Sequence, residues 1–181
     1  MRRLSATLLV LGGVFLSGCF EQAKTETPGP QEFTSEDAGQ ICGMLLSDHA
    51  GPKGQIHIPV QQQPMWFTTV RDTLAYLRMP DSANQISVAY VSDMGKAQSW
   101  AVPGPGAWVK LQDAFFVIDS ERQGGMGAPE AIPFSQRKDA ETFVLEHGGV
   151  IVRHHDIPHA YLFELPHGSE VSEGDPAALH G

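Results

Sequence analysis

The stretch Thr68-Thr69-Val70-Arg71-Asp72-Thr73-Leu74-Ala75-Tyr76-Leu77-Arg78-Met79-Pro80 reads as a helix with both ends marked. Thr68 or Thr69 can accept a hydrogen bond from a first-turn amide, Val70, Leu74 and Leu77 share one face at helical spacing, and Pro80 stops the helix. Before it lie two β-leaning runs, Ile41 to Leu46 and Gln55 to Val60, separated by the turn Gly51-Pro52-Lys53-Gly54. A third run, Ile86 to Val91, follows it. The order is β-β-α-β.

The same order recurs downstream. Ala114 to Ile118 leads into the turn Gly124-Gly125-Met126-Gly127-Ala128-Pro129, then a short extended run to Phe134 and a second helix. Ser135 is its expected cap, Ala140, Phe143, Val144 and His147 share a face, Gly148 suits the left-handed position after a helix end, and Val150 to Val152 form the last strand. Pro103-Gly104-Pro105-Gly106 joins the halves. The expected fold class is α+β, with two small homologous ββαβ units over residues 37–102 and 103–165. Units this small bury too little surface to stand alone, so they should pack together or share a core.

The ends read differently. Residues 1–18 carry Arg2 and Arg3 ahead of the apolar run Leu8 to Leu16, which is too short to span a bilayer and has the layout of a secretory signal peptide. Leu16-Ser17-Gly18-Cys19 is a lipoprotein processing box, so Cys19 is the expected lipidation site and new N-terminus. Two acyl chains give the durable anchoring that one does not. The expected location is periplasmic and lipid-anchored, and Phe20 in place of Asp after the lipidated residue tilts the reading toward the outer membrane. Residues 19–36 are polar and Pro-containing, a flexible tether, and residues 166–181 are a polar tail expected to be disordered.

The whole chain has 12 basic and 21 acidic side chains. Removing residues 1–18 takes two of the basic ones, which moves the formal charge from −9 to −11. An acidic chain with sparse, unclustered Lys and Arg excludes nucleic acid as a partner, because phosphate neutralisation supplies most of that affinity.

Processing leaves Cys42 as the only thiol, which is unusual for an exported protein. It is either a small buried hydrophobe or a functional group. If Ile41 to Leu46 is a strand, the spacing of Cys42 and Met44 points both sulfurs to one face, with Gly43 leaving the backbone open between them. Thiolate and thioether donors favour Cu(I), which needs only two or three ligands where structural zinc needs a closed set of four. Such an incomplete site lets a receiving ligand attack the metal. Met126 stands among three glycines and is poorly explained as core, and packing of the halves would bring its turn toward Cys42. Met65 is expected to pack with Trp66-Phe67, and Met79 to be core or rim. His154, His155 and His159 cluster beside the tail, where they bind metal only adventitiously; His49 is better placed as an auxiliary donor. No nucleophile elbow, phosphate loop, dinucleotide fingerprint or zinc-protease helix is present.

Cys42-Gly43-Met44, Ser47-Asp48-His49 and Gly51-Pro52-Lys53-Gly54-Gln55 resemble the NosL family of accessory lipoproteins of nitrous oxide reductase maturation. The likeness continues through Phe67-Thr68-Thr69-Val70-Arg71-Asp72, Tyr90-Val91-Ser92-Asp93, Trp100, Gly125-Met126-Gly127-Ala128-Pro129, Pro133-Phe134, and Phe143 ahead of His147-Gly148-Gly149. The resemblance implies a periplasmic Cu(I) chaperone and not an enzyme. It would carry one transient ion per monomer on Cys42, Met44 and Met126, and its partners would be nitrous oxide reductase and a membrane assembly complex. Some relatives carry a second cysteine three residues before the Cys-Gly-Met; Gly39 stands there here, so a two-thiolate site is excluded. Two other classes fit the same residues, a thiol-dependent enzyme of the organometallic-lyase type and a lipoprotein that only scaffolds a partner.

Overall fold

Strand β1 (Gly54–His57) is buried along its whole length because it has a partner on each edge and a helix over one face. The computed structural model describes residues 27–59, 61–80 and 86–164; the signal peptide at 1–18, Cys19 and the tail at 166–181 lie outside them. On one edge β1 pairs antiparallel with β2 (Met65–Phe67), and helix α1 (Val70–Leu77) then returns the chain to β3 (Val88–Ser92), antiparallel on the other edge. Strand β4 (Trp108–Lys110) extends this sheet beyond β3. In the second half β5 (Phe115–Ile118) is central, flanked antiparallel by β6 (Ile132–Phe134) and β7 (Val150–Val152), with α2 (Arg137–His147) between those two in sequence. The sheet orders are β2-β1-β3-β4 and β6-β5-β7, so each half runs β-β-α-β around its own first strand. A last short helix, α3 (His159–Phe163), packs on α1.

The first unit differs from the sequence reading in which strands it uses. Ile41 to Leu46 is not a strand. Gly43 has φ +68°, Gly39 N–H donates to Met44 O at 2.9 Å, and the segment closes on itself before entering a 3-10 turn at Leu46–Asp48. The run beginning at Gln55 is therefore the first strand, and the second is Met65–Phe67, three residues that are too short to show an alternation. Trp108–Lys110, placed with the second unit by the boundary after residue 102, hydrogen-bonds to the first sheet. Residues 28–33, the end of the segment read as a tether, lie on that sheet too. Tyr90 donates its hydroxyl to Pro28 O at 2.8 Å, Gln31 and Gln55 exchange two hydrogen bonds, and Phe33 stands edge-on to Trp66.

Thr69, not Thr68, caps α1, accepting from Asp72 N–H at 3.0 Å. Ser135 does not cap α2. Its amide donates to Asp93 Oδ1 at 3.0 Å, and the helix starts behind Gln136 without a side-chain cap. Asp93, at the end of β3, thus holds the entrance of the second unit's helix. The far end of α2 stops at Gly148, φ +67°, as its residue type required.

The two units share one core. Val70, Leu74 and Ala75 of α1 and Val91 of β3 pack with Phe116, Ile118 and Ala131 of the second unit and with Ile157 and Leu162. Val117 points the opposite way, into a second cluster with Ile132, Phe134 and Ala140. Strand β5 is thus covered on both faces, by α2 on one and the first unit on the other, which explains its unbroken apolar run.

Glu130 sits where the units meet. Its Oε1 accepts the amides of Arg71 and Ala131, both at 2.9 Å, while the Arg71 guanidinium holds the carbonyls of Tyr161 and Glu164. Burial pushes the Glu130 carboxyl up from 4.5 to about 8, against the pull of those amides. Between these limits the folded protein keeps a proton that the unfolded chain has released. The contribution of this group to stability is therefore full below about pH 4.5 and is lost as pH rises toward 8, by up to about 1.4 kcal/mol per pH unit. Lys53, lowered to about 8 by burial, contributes with the opposite sign only above that pH. The difference in urea-unfolding free energy between the wild type and Glu130→Gln is expected to fall steadily from pH 5 to 8; parallel profiles would assign the titration elsewhere.

Candidate metal centre

Cys42 lies at the tip of a loop that is closed by its own backbone and hung on a sheet edge. Ala38 bridges Leu45, Gly43 N–H donates to Gly39 O at 2.8 Å, Leu46 N–H donates to Asp37 O at 2.9 Å, and Gln40 N–H donates to Trp66 O of β2 at 2.7 Å. Leu46 is fully buried and anchors the loop from below. The thiol is free and half-buried, with Sγ 3.2 Å from Thr68 Oγ1. The positive φ of Gly43 reverses the chain between Cys42 and Met44, so strand alternation does not set the direction of these two sulfurs. Met44 is 39% exposed on the loop surface, between exposed Ile41 and Leu45.

The chain next passes His49, and Lys53 holds this segment from beneath. Its side chain runs through the interior, 1% exposed, and Nζ donates to His49 O at 2.6 Å and Gly51 O at 2.9 Å. Burial lowers its pKa to about 8, which still leaves the ammonium charged at neutral pH to hold two carbonyls. Gly51 N–H donates to Trp100 O at 2.8 Å, which ties the segment to the inter-unit connection as well.

Met126 arrives from the other unit. The Gly-rich turn is closed by Gly127 N–H to Gly124 O and Gly124 N–H to Ala128 O, both 2.9 Å, and presents Met126 at its tip, 39% exposed. This turn rests directly on the His49 segment. His49 Nδ1 is 3.3 Å from Gly125 O, and a Cβ at Gly125 would stand 2.5 Å from Ala50 O and 2.7 Å from His49 Cβ. The expected equivalence of this turn with Gly51-Pro52-Lys53-Gly54 does not hold, because one lies between β5 and β6 and the other precedes β1. They meet by packing across the units, not by occupying matching places in a repeat.

Cys42, Met44 and His49 therefore lie along one continuous segment, and the turn of Met126 is seated against His49. His154, His155 and His159 are elsewhere. Arg78, at the C-terminal end of α1, donates to His154 O at 2.8 Å, whereas Cys42 sits at the N-terminal end of that helix beside Thr68. Met94 packs in the second core cluster and Met65 lies in β2. Among the described residues no three of His, Cys, Asp and Glu converge on one point, so a hard-ligand or zinc-type cage is not part of this site. Two participants escaped the sequence reading, Thr68 and Lys53. For Thr68 a signal existed, since only one of two adjacent threonines can cap a helix. Nothing in a Gly-Pro-Lys-Gly turn marks its lysine as buried.

A family model described as NosL matches residues 30–162. A relative from Achromobacter cycloclastes named "Copper-binding lipoprotein NosL" is 42% identical over 175 residues, covering 96% of this chain and 90% of its own. Another of the same name, from Stutzerimonas stutzeri, is 31% identical over 170 residues, covering 91% and 85%. The crystal structure of the copper chaperone NosL from Shewanella denitrificans superposes with a TM-score of 0.68 at 32% identity, covering 73% of this chain and 97% of that one.

The contact between the two loops is open to a direct test. Gly125→Ala is expected to lift the Met126 turn off Ala50, shifting the His49 ring and Met126 methyl resonances while changing unfolding free energy by no more than about 1 kcal/mol, since the turn is at the surface. Unmoved resonances would mean that the turn is not seated there.

Proposed function

This chain belongs to the NosL family, and we propose that it is a lipid-anchored carrier of Cu(I), holding one ion on Cys42, Met44 and Met126 with His49 as an auxiliary donor. The observation that carries the proposal is the half-buried free thiol of Cys42 on a preformed loop that also exposes Met44, with the turn of Met126 seated on the following segment and, among the described residues, no converging set of hard ligands. Soft sulfur selects a monovalent, low-coordinate metal. On loading, the Cys42 thiol gives its proton to solvent and its sulfur binds the metal. On unloading, a donor from the receiving protein occupies an open coordination position before the sulfurs leave, so the ion is never free.

The same residues argue for carriage over thiol catalysis. Cys42 is bonded to a hydroxyl and His49 to a backbone carbonyl, whereas an activated cysteine nucleophile has an imidazole within hydrogen-bond reach. The names of the relatives support copper and the lipoprotein anchor. The remainder of the reading is periplasmic residence through a lipid on Cys19, with the outer membrane favoured, and delivery of copper to nitrous oxide reductase through a membrane assembly complex. No helix among the described residues is long and apolar enough to cross a membrane, so in this reading the lipid is the attachment.

Anaerobic Cu(I) titration against a competing chelator is expected to give one ion per chain. Cys42→Ser should weaken binding by about 100-fold or more, and Met44→Leu and Met126→Leu by about 10-fold each, since losing even a partner that only supports a ligand costs about 10- to 100-fold. Wild-type affinity in both Cys42→Ser and Met126→Leu would remove the basis of the proposal.

A further inference from the structure

We propose that Thr68 is a positioning residue of the copper site, and that the missing side chain at Gly39 is what gives the Cys42 sulfur its place against it; this rests on the reading that Cys42 holds the metal. The two adjacent threonines at the start of α1 have separate duties. Thr69 caps the helix, while Thr68 is 1% exposed and, among the described residues, its hydroxyl meets only the Cys42 sulfur, at 3.2 Å. A buried hydroxyl is costly to leave without a partner, and among the described residues the Cys42 sulfur is the one it has.

Thr68 is held by the helix start, and the Cys42 backbone by the closed loop and by Gln40 N–H to Trp66 O. The remaining freedom is rotation of the Cys42 side chain, and Gly39 decides it. A Cβ at Gly39 would stand 2.9 Å from Cys42 Sγ, 3.0 Å from Thr68 Cγ2 and 3.4 Å from Thr68 N. The sulfur therefore occupies the volume that any other residue at position 39 would fill. Once the thiol has given up its proton the sulfur can only accept, so the Thr68 O–H must donate to it, and a hydrogen bond to a charged acceptor is the stronger kind. That bond orients the thiolate, draws electron density from it, and leaves its other lone pairs to the metal. Hydrogen bonds to a ligating sulfur tune the metal in this way.

The test uses Thr68→Val, which keeps the shape and removes the donor, Thr68→Ser, which restores the donor, and Gly39→Ala, which leaves both chemical groups in place and crowds the sulfur and the Thr68 methyl apart. Cu(I) affinity at one fixed pH and the energy of the thiolate-to-Cu(I) charge-transfer band are measured in each, with urea unfolding of the metal-free proteins. Thr68→Val is expected to bind about 10-fold more weakly, with the band moved to lower energy, because an unbonded thiolate gives up its electron density more readily. Thr68→Ser is expected to keep the wild-type band and nearly all the affinity. Gly39→Ala should behave like Thr68→Val, and the double variant no worse than either, since both remove the same contact. Wild-type affinity and band energy in Thr68→Val, beside lost binding in Cys42→Ser, would overturn the role of Thr68 and leave the copper site standing. Full binding by Cys42→Ser would overturn the site itself.

Discussion

Helix α1 lies so close to β1 that no side chain fits at Gly54, where a Cβ would collide with Thr73. This approach lets one helix serve both units. Its Val70, Leu74 and Ala75 fill the core that Phe116 and Ile118 complete from the second sheet. It also sets the position of the residues just before the helix, where Thr69 caps and Thr68 meets the thiol. A bulkier residue at Gly54 would push the helix outward, and the sulfur loop, the inter-unit core and the Arg71–Glu130 junction would all feel it.

Preorganisation runs through the whole segment from Asp37 to Gly54. Its turns are tied by backbone bonds to β2 and to Trp100, and the Lys53 ammonium holds the His49 and Gly51 carbonyls from inside. Burying that ammonium is unfavourable by itself, as its lowered pKa shows, and two carbonyl partners offset part of the cost. What results is a segment with little left to organise, so that any ligand taken there spends little of its free energy on ordering the chain.

Much of this fold was legible in the residues. Capping, helical spacing and Pro80 located α1; the apolar run of β5 and Gly148 located the second unit; and the β-β-α-β order is present in both sheets. The misread strand at Ile41 to Leu46 has a physical cause. Its residues are strand-like in type, but Gly43 takes a positive φ and the loop satisfies its own amides, so no neighbouring strand is needed. Strands β2 and β4 have three residues each, less than an alternation can reveal. At the site, the residue types of Cys42, Met44 and Met126 pointed to two loops that the structure packs together, but the seating of Gly125 on Ala50 is a tertiary contact that one chain's periodicity does not encode. Thr68 was hidden behind the more obvious capping role.

The empty place at Gly39 also bears on how the sulfur ages. Among the described residues Cys42 is the sole cysteine, and position 39, the nearest point from which another could reach it, holds no side chain at all. Among the described residues the sulfur has no partner for an internal disulfide that a simple reductant could reopen. Oxidants would instead carry it up the sulfenic, sulfinic and sulfonic series, or couple it to a second molecule. Half-buried against Thr68, it remains open to small oxidants such as peroxide, whose damage is permanent once it passes the first step.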